Sequence, residues 1–160
     1  MAQMLNSTVV PAMALAASLQ ELASLVDRAT DMEYLSRSPS AETETEGMSV
    51  GVQVATCLRH VSAVLAGRPA PLPTAAIEHS RLRGLSALRA TIRDLDAMAT
   101  FAMGEPLHLD PARDPEGARL ERTAATGRAL ALVLQQVRHH KAQAIRCLSS
   151  AEPFRVSSCA

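Results

Sequence analysis

Apolar residues in this chain recur at intervals of three and four over four long stretches, and strict alternation is rare. The most regular stretch follows Asp114. There Leu120, Gly127, Leu130, Leu134, Val137, Ala144, Ile145 and Leu148 trace one stripe at helical spacing. Asp114 suits an N-cap, and Pro115 fits the first helical position, where no N–H is needed. Glu116 and Glu121 lie toward the positive end of the helix dipole. Arg138, His139, His140, Lys141 and Arg146 lie toward the negative end. The pattern predicts a helix over 115–149, about 50 Å long. Such a helix cannot cover its own stripe, so the other segments are its expected covering layer.

Three further helices follow from the same spacing. Leu15, Leu19, Leu22, Val26 and Ala29, widened by Leu25, Met32 and Leu35, predict a helix over 9–36 after a loose lead-in at 1–7. Ser7 or Thr8 would cap it, with Pro11 in its opening turn. Val50, Val52 and Val54 alternate as a strand would. The series Val50, Val54, Leu58, Val61 and Leu65 is helical and longer, so a helix is expected over 48–66, ended by Gly67. Thr74 would cap a third helix over 74–103, with Leu85, Leu88, Ile92, Leu95, Ala99 and Ala102 as its stripe. Arg89, Arg93 and Asp96 belong to its solvated face.

The connections differ in kind. Residues 37–47 are acidic, with Ala41 the sole apolar anchor, and read as a mobile solvated linker; Ser38 before Pro39 is a candidate phosphorylation site. Residues 67–73 carry three prolines in five positions, which favours an extended spacer that a proline-reading domain could grip. Residues 104–114 form a loop ending in the second of two Asp-Pro steps, and 150–160 a tail in which Phe154 can tuck against the helices. The expected fold is one all-α domain over 1–160, an antiparallel four-helix bundle, because short links make sequential helices neighbours.

Composition narrows the picture. With only Tyr34, Phe101 and Phe154 aromatic, the core must be Leu, Val, Ile, Met and Ala, which suits close helix packing better than a pleated sheet. Net charge is zero, yet residues 1–66 carry seven acids against three bases, and residues 67–160 nine acids against thirteen bases. Opposed halves would attract within one molecule or head-to-tail between two. No basic block and few aromatics argue against nucleic acid as a partner. Cys57, Cys147 and Cys159 are odd in number without framework spacing, which points to free thiols in a reducing compartment. The apolar run from Val9 to Val26 has no basic residue before it, and Gln20 and Glu21 interrupt it. A signal sequence or membrane span is therefore not expected, and the setting reads as cytoplasmic.

Candidate chemistry is sparse. Cys57 and His60 are three apart on one helix, a spacing that lets both approach one ion; zinc or copper suits those ligand types. His140 and Cys147 are seven apart, too far to share an ion easily. His60 also raises the idea of a phosphotransfer histidine, but the adjacent Arg59 points elsewhere on a helix. Glu78 and His79 are adjacent and diverge. No phosphate-binding loop, nucleophile elbow or dinucleotide fingerprint occurs. His139, His140 and Lys141 read first as dipole partners and second as a contact for an acidic protein. Gly127, beside Thr123 and Thr126, reads as a tight helix crossing, with Leu134 on the same helix as a contact residue. The expected function is a non-enzymatic interaction or regulatory module that self-associates as a homodimer. The alternative is a bundle holding a small molecule or metal in an apolar cavity with Cys57 and His60 at its corner.

Overall fold

The computed structural model describes residues 2–37, 48–65, 74–104 and 116–151, with side chains described over 9–37, 48–65, 74–100 and 125–150. Among the described residues every regular element is a helix: α1 (Ala2–Arg28), α2 (Asp31–Leu35), α3 (Val50–Leu65), α4 (Thr74–Glu78), α5 (Arg81–Gly104) and α6 (Glu116–Ala151). The helical reading of this stretch therefore holds over the strand reading for residues 50–65. The acidic linker from Ser38 on, the Pro-rich connection, the loop carrying Asp114 and Pro115, and the tail beyond Ala151 lie outside the described residues.

Two of the expected helices are broken, each by a hydroxyl side chain that prefers to cap. The helix expected over 9–36 stops at Arg28 and restarts at Asp31. Between them Thr30 is extended, at φ −77° and ψ 164°. Its hydroxyl accepts the Glu33 N–H at 3.2 Å, and the Glu33 carboxylate accepts the Thr30 N–H at 2.7 Å. This reciprocal pair satisfies two donors that a helix start leaves open. The helix expected over 74–103 divides at His79–Ser80, where the Ser80 hydroxyl accepts the Arg83 N–H at 3.4 Å. Ser49 starts α3 in the same way, accepting the Val52 N–H at 3.3 Å, so that helix begins two residues after the expected Met48. Local hydroxyl-to-backbone bonds of this sort compete with helix continuation.

The start of α1 also differs from expectation. Residues 2–7 are helical rather than a loose lead-in, and Pro11 lies inside the helix. Proline removes one hydrogen bond from the ladder. Val9 and Ala12 on either side of it are buried, and that packing carries the helix across the gap.

Side-chain contacts between the ends establish how the helices run. The Arg81 guanidinium, at the start of α5, donates to the Val26 and Asp27 carbonyls at the end of α1, at 3.3 and 3.2 Å. It also holds Asp31 at 2.7 Å. Tyr34 is fully buried and donates its hydroxyl to the Ile77 carbonyl of α4 at 2.8 Å. The Cys147 thiol, near the end of α6, donates to the Met48 carbonyl just before α3 at 3.3 Å. Thus α1 and α6 end, and α3 and α5 begin, at one end of the molecule. Strict alternation along the chain would have placed the starts of α3 and α5 at opposite ends.

Packing follows the same plan. Helix α1 lies against α5 and α6, and α3 lies against α6 and, less extensively, α5. Of the three consecutive pairs of long helices, α1 with α3 and α5 with α6 make little contact among the described residues. The core between them is Leu15, Leu19, Leu22 and Val26 of α1, Val54, Leu58 and Val61 of α3, Leu88 and Leu95 of α5, and Leu130 and Val137 of α6. Ion pairs follow the charge division: Asp31 with Arg81, Asp27 with Arg89 at 3.6 Å, and Glu21 with Lys141. Each joins an acid of α1 or α2 to a base of α5 or α6, so opposed halves attract within one molecule. Asp27 and Arg89 are both largely exposed, and a pair at such a site contributes about 0–1 kcal/mol.

Candidate functional site

Among the described residues, the polar groups Gln53, His60, His139 and His140 form a side-chain cluster between α3 and α6. Gln53 and His60 are seven residues apart on α3, two turns along one face. Gln53 is fully buried. His140 of α6 sits between them: its Nδ1–H donates to Gln53 Oε1 at 2.6 Å, and its ring stacks on that of His60 with centroids 6.0 Å apart and planes at 20°. His139 meets the His140 ring edge-on at 5.3 Å. The bond to His140 meets part of the hydrogen-bonding need of this buried amide and ties α3 to α6 at this level.

The electrostatics of the seam are one-sided. Burial lowers the pKa of His60, and Arg59 lowers it further. Burial also lowers that of His140, followed by His139, His60 and Arg59. Both rings are therefore held neutral at pH 7. Cys57, one turn from Gln53 and His60, is fully buried, and burial pushes its thiol up to about 12. A neutral thiol of that kind is a small apolar core group rather than a nucleophile.

The residues singled out from the pattern fall as follows. Cys57 and His60 share α3, but Cys57 faces the core while His60 is half-buried against His140. Among the described residues no group of three or more His, Cys, Asp or Glu is arranged to hold a metal ion. Gly127 and His140 are buried, and Leu134 packs partly buried against the core; His139 is exposed. Lys141 pairs with Glu21 of α1. It lies well before Ala151, and the last turn of α6 carries no base, so the dipole reading fails; that effect fades within one turn. His79 uses Nδ1 on the Ala75 carbonyl at 2.8 Å rather than pairing with Glu78.

Two features escaped the pattern reading. Gln53 reads as a surface residue, and only its position on the buried face of Val50, Val54, Cys57 and Val61 marks it otherwise. The second is the outer face of α1. Val10 and Met13 are 57% and 54% exposed, and Ala17 is exposed beside them. These positions, at i, i+3 and i+7, share one helix side. From Val9 to Leu19 the helix has no charged residue, so it is apolar on both its covered and its bare side. The window Val9–Arg28 is long and apolar enough to cross a membrane by length and composition, and half of it is buried inside this fold.

Comparison of the chain with protein-family models, with curated proteins and with solved structures returns no match.

Proposed function

We propose that this chain is a non-enzymatic helical interaction module that pairs with a second copy of itself through the outer face of α1. The observation that carries the reading is the bare apolar strip of Val10, Met13 and Ala17 on a helix whose other side is core. A helix apolar all round belongs under cover on every side. A second copy supplies that cover with the same strip, as in a two-fold pair. The ion pairs of α1 and α2 are already used within the molecule, so the contact is apolar rather than head-to-tail by charge.

The four long helices are read as an antiparallel four-helix bundle in which α1 and α6 run one way and α3 and α5 the other. The support is the set of contacts that join their ends: Arg81 with Val26, Tyr34 with Ile77, and Cys147 with Met48. A reducing, cytoplasmic setting fits Cys57 and Cys147 remaining free thiols.

Three side chains fall short of the roughly 800 Å² per partner of a tight complex, so the pair is expected to form with concentration in the micromolar range. Sedimentation velocity across that range tests it. The wild type should shift from one to two copies of the 17.0 kDa chain, and Met13→Lys should stay single with unchanged helicity. A single species at every concentration, or a Met13→Lys protein that pairs equally well, contradicts the proposal. Binding to lipid vesicles that Met13→Lys abolishes would assign the face to a membrane surface instead.

A further inference from the structure

His140 is clamped between two turns of α3, by a hydrogen bond to Gln53 and a ring stack on His60. Because Nδ1 donates to the Gln53 carbonyl oxygen, Nε2 is the nitrogen left to take up a proton. The groups facing that ring decide what a proton there would do. From α3 come Arg59 and His60, and from α6 itself comes His139. The acid that α1 offers, Glu21, is engaged by Lys141. Those of α2 are engaged elsewhere, Asp31 by Arg81 and Glu33 by the Thr30 cap.

We propose that the seam between α3 and α6 is an acid-sensitive latch, closed while His60 and His140 are neutral and released when both take up protons. Two stacked imidazoliums beside Arg59 repel one another, and no described carboxylate stands ready to compensate. The direction agrees with the depressed basicity of both rings, which burial and the neighbouring cations impose. Release frees α3 from α6 while leaving the contacts of α1 with α5 and α6 in place. The latch lies within one copy of the chain, so it does not depend on the pairing proposed above.

Amide hydrogen exchange at pH 7.5 and pH 5.0, with rates divided by their intrinsic values, reads the latch directly. In the wild type, protection over 50–61 should fall at least about tenfold more than protection over 15–22. In His140→Gln, where the ring is replaced by a group neutral at both pH values, that difference should vanish. His60→Gln, at a half-buried position, should shrink it and serves if His140→Gln does not fold. Equal protection of 50–61 at the two pH values overturns the proposal. So does a fall that persists undiminished in whichever of the two variants folds.

Discussion

The hydroxyl of Tyr34 donates to the carbonyl of Ile77 at 2.8 Å, and this bond ties the end of the first helical stretch to the short helix that precedes α5. Tyr34 is the largest fully buried side chain. Burial raises the pKa of its phenol well above the usual value, with Glu78 adding to the effect, so the group stays a neutral donor. Tyr34→Phe keeps the packing and removes the donor. It should cost about 1–2 kcal/mol in urea unfolding, with little change in helix content.

The same ring dictates two glycines. A Cβ on Gly84 would collide with the Tyr34 hydroxyl, and one on Gly51 would collide with the Glu78 carbonyl and come within 2.8 Å of the Tyr34 ring. Gly51→Ala presses on backbone and should destabilise by about 1–3 kcal/mol. Gly84→Ala meets the tip of a side chain, and Tyr34→Phe removes that tip. The double variant Tyr34→Phe with Gly84→Ala should therefore lose less than the sum of the single losses, by at least about 0.5 kcal/mol. Additive losses in a thermodynamic cycle would contradict this account of the contact.

Ser18 is buried in α1, and its hydroxyl has no hydrogen-bond partner among the described residues. Ser18→Ala removes an unpaired polar group and improves helix propensity. It should stabilise by about 1 kcal/mol, raising the melting temperature by about 2–4 °C for a chain of this size. An unchanged or lowered melting temperature would show that the hydroxyl has a partner in solution.

Overall stability should fall with acid in two separate windows. His60 and His140 have folded pKa values below the ordinary 6.5, so the unfolded chain binds protons more readily. Their contribution is present above 6.5 and is lost as pH drops through that value toward the folded ones. Glu21, held below 4.5 by Lys141, loses its contribution at lower pH again. The urea midpoint measured from pH 8 to pH 3 should show the upper step, and His60→Gln combined with His140→Gln should remove that step alone.

Much of the helical framework was readable from spacing, because buried positions such as Leu15, Leu19, Leu22 and Val26 repeat with the helical period. The break at Thr30 was readable too, since Thr-x-x-Glu marks a helix start; a continuous apolar stripe running past it hid the signal. His60 and His140 each stood out along the chain. Their meeting did not, because it depends on which way α3 runs against α6, and contacts far apart in sequence decide that. Short links suggested neighbours, whereas α1 with α3 and α5 with α6 make little contact among the described residues, and only the consecutive pair α3 and α5 packs together. The bare side of α1 was hidden for the opposite reason: Val10 and Met13 look like core until the neighbouring helices are placed.

Helices α3 and α5 set out from the same end, an arrangement in which α3 packs on α6 and Val10 and Met13 of α1 stay exposed. A distance between spin labels at Val52 and Arg83 tests it most directly, in a chain whose three cysteines are replaced by alanine. These positions adjoin Gly51 and Gly84, which both pack on Tyr34. Labels there should lie within about 20 Å. Helix α3 is 16 residues long, about 24 Å at 1.5 Å per residue. Strictly alternating helices would place the labels beyond about that length, and a distance near 30 Å would contradict the account.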